Sequence, residues 1–240
     1  MRYSRRKRRA SMSELTREIR TAGYWEVTIR PTSFRANRVA NLLDLQPILE
    51  RCVVAVRGWD FPHIDRHAAV IPRLDFIEQE SDWEQFRERW RFYQSGQFVI
   101  LRAMHYDWRD RSGWHPVNQR WKRGAELGIS EALYSLFEVF EFAARLSNTP
   151  AGDDPMRVDI KVGGIRDRML VVDDPRRIGI PRGDRVAAID VFPVEGQYSR
   201  TALMTNAAGL TVAAARDLFQ RFNWDLPVER LTEWLESLRR

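Results

Sequence analysis

Residues 130–147 read SEALYSLFEVFEFAARLS, and this stretch constrains the fold more than any other. Leu133, Leu136, Phe137, Phe140 and Ala144 recur at helical spacing and make one apolar stripe. Ser130 stands where an N-cap hydroxyl accepts a backbone N–H, and NTPAGDDP breaks the chain at the far end. A helix this apolar must bury its stripe against a sheet or other helices.

The flanking sequence supplies the sheet. YWEVTIR alternates, with Trp25, Val27 and Ile29 against Glu26, Thr28 and Arg30, the pattern of a half-buried strand. DLQPILERC suits a short helix capped by Asp44, and CVVAV reads as a continuous apolar strand ending at Arg57–Gly58. RLDFIEQE alternates again. SDWEQFRERWRFYQSGQFVILRAM carries both periods, since Trp83, Phe86, Trp90 and Tyr93 have helical spacing while Trp90 and Phe92 alternate with arginines. The Ser95–Gly96 pair between two strand-like runs favours a β-hairpin turning there.

After the helix, MRVDIKV and RDRMLVV flank Gly163–Gly164, a hairpin signature, and RVAAIDVFPV reads as a further strand. Thr211 is placed to cap VAAARDLFQRF, and Asp225 with Pro227 to start VERLTEWLESLRR. Strict βαβ alternation is absent, which argues against a doubly wound sheet. The expected architecture is α+β, a mostly antiparallel sheet with about four helices, two of them C-terminal. Residues 21–240 are read as a single domain, with 125–150 the place where two subdomains would part. Residues 1–20 are read as a disordered basic arm.

The charge is concentrated in that arm. Arg2, Arg5, Arg6, Lys7, Arg8 and Arg9 fall within the first nine residues, which contain no acid. Removing these six from 39 basic residues leaves 33, equal to the 33 acidic ones, so the net charge of +6 belongs to the arm. Six clustered cations without apolar anchors repel one another, and such a segment can neutralise phosphates. The single Cys52 excludes an internal disulfide framework and fits a reducing compartment. No run approaches the length of a membrane span, and no apolar run follows the basic start as a secretory signal would require. A cytoplasmic protein with no membrane partner is the expectation.

No phosphate-loop, dinucleotide-fold, nucleophile-elbow or HExxH pattern is present, and one cysteine cannot build a multi-cysteine zinc site. Three stretches remain as candidates. RGWDFPHIDRH at 57–67 holds His63, Asp65 and His67, which share a face if extended and could hold a divalent metal, with Asp60 as a fourth donor. The plainer account is a rigid turn packed by Trp59, Phe61 and Pro62.

The second candidate is DDPMRVDIK, whose Asp159-x-Lys161 resembles the acidic-x-Lys half of the PD-(D/E)xK nuclease signature, with Glu138 or Glu141 on the preceding helix. That resemblance implies carboxylates on a divalent ion and a lysine orienting the attacking water. It covers a handful of residues, and Asp153 and Asp154 stand too close to Asp159 for the further acid such a site needs.

The third is RAMHYDWRDRSGWHPVNQRWKRG. Arg109, Arg111, Arg120, Lys122 and Arg123 oppose only Asp107 and Asp110 there, with Trp114 and Trp121 among the interleaved rings. Cations for phosphate and rings for unpaired bases are what nucleic-acid binding uses, although Arg on Trp also packs ordinary loops and protein contacts.

The resulting expectation is a non-catalytic binding or regulatory protein. It would associate with DNA or RNA through Arg5, Arg6, Lys7, Arg8 and Arg9 of the arm and through the Arg/Trp loop. The alternatives are a metal-dependent hydrolase or nuclease and a protein-interaction subunit of a larger assembly. No cofactor is expected outside the divalent-metal alternative.

Overall fold

The computed structural model describes residues 13–111, 121–174 and 185–239. A seven-stranded antiparallel sheet forms one layer. Its strands are β1 (Tyr24–Pro31), β2 (Ile71–Pro72), β3 (Phe76–Trp83), β4 (Phe86–Tyr93), β5 (Phe98–Ala103), β7 (Met156–Gly163) and β9 (Val191–Tyr198), in the order β2-β3-β4-β5-β1-β7-β9. The remaining two, β6 (Glu126–Gly128) and β8 (Met169–Val171), pair in parallel as a separate ribbon. The helices are α1 (Glu14–Ile19), α2 (Leu45–Cys52), α3 (Ile129–Ser147), α4 (Arg200–Gln220) and α5 (Val228–Leu238). The fold is α+β with a mostly antiparallel sheet and two C-terminal helices. Among the described residues no helix is long and apolar enough to cross a membrane.

Alternation sorts the sheet into two faces. The registers Trp25↔Arg102, Val27↔Ile100 and Trp90↔Ile100 put Trp25, Val27, Ile29, Phe98, Ile100, Trp90 and Phe92 on the inner face, joined by Val158, Ile160 and Val162 of β7. The helix α3 packs on β1 and β7 and is covered in turn by α4. Sixteen of its nineteen residues are buried, because a helix with neighbours on both sides is apolar around most of its circumference. One contiguous apolar cluster links Trp25 to Leu238.

The β4–β5 hairpin turns at Ser95–Gly96 as its sequence indicates: Gly96 has φ +85°, and a side chain there would run into the Ala151 carbonyl. Other local expectations are corrected. CVVAV is not a strand; only Val54 bridges to Phe61, and the residues between form a closed loop. Gly163–Gly164 does not turn a hairpin, because both edges of β7 are already taken by β1 and β9, and β8 pairs with β6 instead.

Three helix starts also differ. The hydroxyl of Ser130 accepts the Trp234 indole N–H, while the Asp173 carboxylate accepts the Ser130 and Glu131 N–H groups at 2.7 and 2.9 Å. Asp44 makes no side-chain cap. Thr211 lies buried inside α4, which starts from Ser199, and its hydroxyl donates to the Ala207 carbonyl. Finally, the basic arm does not extend to residue 20. Ser13 caps α1, and Leu15 and Ile19 pack on Leu101 and Ala103 of the sheet's outer side and on Trp108 of the turn after β5. Residues 1–12 lie outside the described part.

Candidate binding cleft

The loop that carries the two histidines is fixed by polar side chains planted in the sheet. Inward positions of β3 and β4 read Ile77, Gln79, Ser81 and Glu88, Trp90, Phe92, so three polar residues occupy a face that alternation reserves for apolar ones. Each Glu88 oxygen accepts one hydrogen bond from the loop, from Trp59 Nε1 at 3.1 Å and from the His63 backbone N–H at 2.8 Å. Gln79 accepts from the Asp65 N–H and donates to the Asp65 and Ala68 carbonyls. Trp90 Nε1 donates to the His63 carbonyl at 2.8 Å. The peptide before Pro62 is cis.

These anchors build a wall of parallel rings. His63 lies on Trp59 at 3.6 Å between centroids, and Phe86 lies against Trp59 at 4.4 Å. Trp83 is 5.7 Å from Trp59 with its plane turned by 7°. Trp59 is buried by these contacts, whereas Trp83 remains 52% exposed at the end of the stack. Beside the wall opens a cleft of about 450 Å³ lined by Trp59, His63, Asp65, His67, Ser81, Asp82 and Trp83.

The cleft exists because β2 stops pairing. It bonds to β3 only at Ile71↔Glu78 and Pro72↔Ile77. Continuing that register backwards would set Ala68 against Ser81 and His67 against Asp82. Instead the Gln79 clamp holds the chain aside, and the Asp65 carboxylate accepts the His67 N–H in a tight turn. Ser81 is left 4% exposed on the cleft with a hydroxyl that has no hydrogen-bond partner among the described residues.

A buried ionic network supports the floor. Glu138 of α3 receives Arg57 through two bonds, at 2.7 and 2.9 Å, and Arg102 at 2.8 Å, while Arg102 also donates to the Ser135 hydroxyl. Glu88, which faces Arg102 across β4 and β5, is wholly buried. Burial pushes its carboxyl up to about 7, against the pull of Arg102 and of its two N–H donors. Glu131 accepts the His105 N–H and is pushed up to about 6, again chiefly by burial. Burial, with Arg57 and Arg102 nearby, holds the His105 imidazole well below its usual range, and burial likewise lowers His63. With no exposed surface on Glu88 or Glu138, the network is scaffolding for the cleft.

The three residues of the divalent-metal alternative are only partly brought together. His63, Asp65 and His67 do line one cleft, but among the described residues no three His, Cys, Asp or Glu side chains form a metal-holding group. His63 stacks on Trp59 and one Asp65 oxygen accepts the His67 N–H, and the three side chains do not gather into a metal-holding group.

The nuclease candidates are also dispersed. Asp159 accepts from Arg157 at 2.9 Å on the outer face, with exposed Lys161 beside it, whereas Glu138 lies on the inner side in the buried network. Glu141 pairs with Arg145, and Asp153 with Arg38.

Of the nucleic-acid candidates, Arg5, Arg6, Lys7, Arg8, Arg9, Trp114 and Arg120 lie outside the described residues. Arg109 stacks on Tyr106 at 4.3 Å, and Arg111 pairs with Asp82 at 2.7 Å. Arg123 covers Trp108 and pairs with Asp110, Trp121 donates to the Tyr106 carbonyl, and Lys122 is exposed. The described part of this loop is therefore folded mainly on itself, with its rings and guanidinium groups as internal packing.

Comparison with protein-family models, with curated proteins and with solved structures finds no match.

Proposed function

We propose that the chain is a non-catalytic binding protein whose recognition site is the cleft beside the wall of rings formed by Trp59 and Trp83. The observation that carries this reading is the pairing, at one cleft, of a half-exposed ring at the end of a rigid stack with a buried hydroxyl that lacks a partner. Buried polar groups are ordinarily satisfied, and concave sites with an aromatic wall and a few placed polar groups are where ligands bind. The polar anchors beneath hold the loop in place before any ligand arrives, which lowers the ordering cost of binding.

The test is a titration of ¹⁵N-labelled protein with benzamidine, caffeine and benzoate in turn, following the indole N–H signals. Movement of the Trp59 and Trp83 signals by at least one probe, lost in Trp83→Ala, is expected. No movement with any of the three counts against the cleft as a site.

A second reading, nucleic-acid association through Arg5, Arg6, Lys7, Arg8 and Arg9, is supported by the placement of the whole charge excess in the first nine residues. Deleting those residues should weaken binding to single- and double-stranded DNA or RNA and flatten its salt dependence. Unchanged binding and slope would remove that reading.

A further inference from the structure

Resting on the cleft as a binding site, we propose that its ligand is an extended polypeptide segment with a basic side chain, laid along the edge of β3 at Glu80–Trp83. The edge is the first reason. On the side away from β4, β3 is paired among the described residues only at Ile77 and Glu78, so the following residues present the backbone groups that a further strand would take. An edge of this kind is a template for strand addition. A guest strand would occupy the space that β2 leaves, and its backbone would bring hydrogen-bonding groups to the Ser81 hydroxyl on the cleft.

Charge and rings select the side chain. Among the described residues the cleft lining holds two carboxylates and neither lysine nor arginine. Asp82 is already held by Arg87 and Arg111, but Asp65 has no cation against it among the described residues. Burial keeps the His63 imidazole from supplying one near neutral pH. The exposed ring of Trp83 offers its π-face to a cation, an interaction strongest with Trp. An Arg or Lys side chain between Trp83 and Asp65 satisfies both. A phosphate backbone would meet the Asp65 carboxylate and be repelled.

The experiment is fluorescence anisotropy on the full chain with dye-labelled peptides of alternating Thr and Arg, the Thr–Glu counterpart, a Thr–Arg peptide N-methylated at alternate residues, and labelled oligothymidine. The Thr–Arg peptide should bind, about tenfold more weakly to Trp83→Ala and to Asp65→Asn, and equally to Lys161→Ala on the far face of the sheet. N-methylation should abolish binding, because it removes the donors that strand pairing needs.

Equal or tighter binding of the Thr–Glu peptide, binding of oligothymidine that depends on Trp83, or Thr–Arg binding indifferent to Trp83 and Asp65 would overturn the proposal. Retention by the N-methylated peptide would overturn the strand geometry. If the small probes move the Trp59 and Trp83 signals but no Thr–Arg peptide binds, the polypeptide proposal fails while the cleft stands as a site. If neither happens, both fail.

Discussion

Glu88 offers a quantitative check on the arrangement beneath the cleft. In the unfolded chain its carboxyl titrates near 4.5; in the folded protein burial raises it to about 7. Between those values the folded state holds a proton that the unfolded state has released. Stability from this group is therefore fully present below about pH 4.5 and is lost as the pH rises through 7. Each tenfold change in the acid constant is worth about 1.4 kcal/mol, so the loss comes to about 3 kcal/mol for a carboxyl with no exposed surface.

Replacing Glu88 with Gln removes the titration and keeps the shape. One amide oxygen cannot accept from both Trp59 Nε1 and the His63 N–H, so one donor is left facing an NH₂ group. That costs about 1–3 kcal/mol at every pH.

The assay is urea unfolding of both proteins at several pH values from 5 to 8, with m unchanged as the condition for comparing midpoints. The Glu88→Gln variant should be the less stable form at pH 5, and the gap should close or reverse by pH 8. Taking the difference cancels Glu131, whose slope has the same sign up to about pH 6, and His63, whose lowered pKa gives the opposite slope. A difference that stays constant from pH 5 to 8 would refute the claim that Glu88 is buried against its own ionisation.

The network also predicts other outcomes. Glu138→Ala strands Arg57 and Arg102 without their carboxylate and should cost about 3–5 kcal/mol in urea unfolding. Asp107→Asn should cost a similar amount, since Asp107 takes two bonds from buried Arg168 and also accepts the Gly23 and Gly124 N–H groups. Glu78 is held at about 2, against the effect of burial, by hydrogen bonds from Arg89, Arg73 and Arg91. Its contribution is present above about pH 4.5 and lost as pH falls towards 2, so Glu78→Gln should flatten acid unfolding in that range. Lys161→Ala, on the exposed outer face, should change stability by less than about 0.5 kcal/mol.

The sheet and its helices were legible where a single period dominates. Trp25, Val27 and Ile29 alternate cleanly and are buried, and the stripe of α3 is core. Pairing was less legible, because it depends on which edges are still open. Gly163–Gly164 carries a good local hairpin signal, yet the registers of β7 with β1 and β9 leave β8 no edge to occupy. Capping failed for a related reason. Asp173 reaches the start of α3 from 42 residues further along the chain, and no local pattern at Ser130 announces it.

The cleft was half legible. The stretch at 57–67 stood out for His63 and His67, residue types that suggested metal. What shapes the cleft is supplied by Gln79, Ser81, Trp83 and Glu88, which the histidines do not point to. A signal did exist in the sequence. If SDWEQFRERW is read as a hairpin turning at Glu84–Gln85, Ser81 and Glu88 fall on the same face as Ile77 and Trp90, and a polar residue on a core face requires a partner. Glu88 and Gln79 find theirs in the backbone and indole of the 57–67 loop. Ser81 finds none, and it is the one that lines the open cleft. On that contrast, Glu88 and Gln79 are polar residues on a core face that anchor a loop, and Ser81 is the one on which the proposed ligand contact rests.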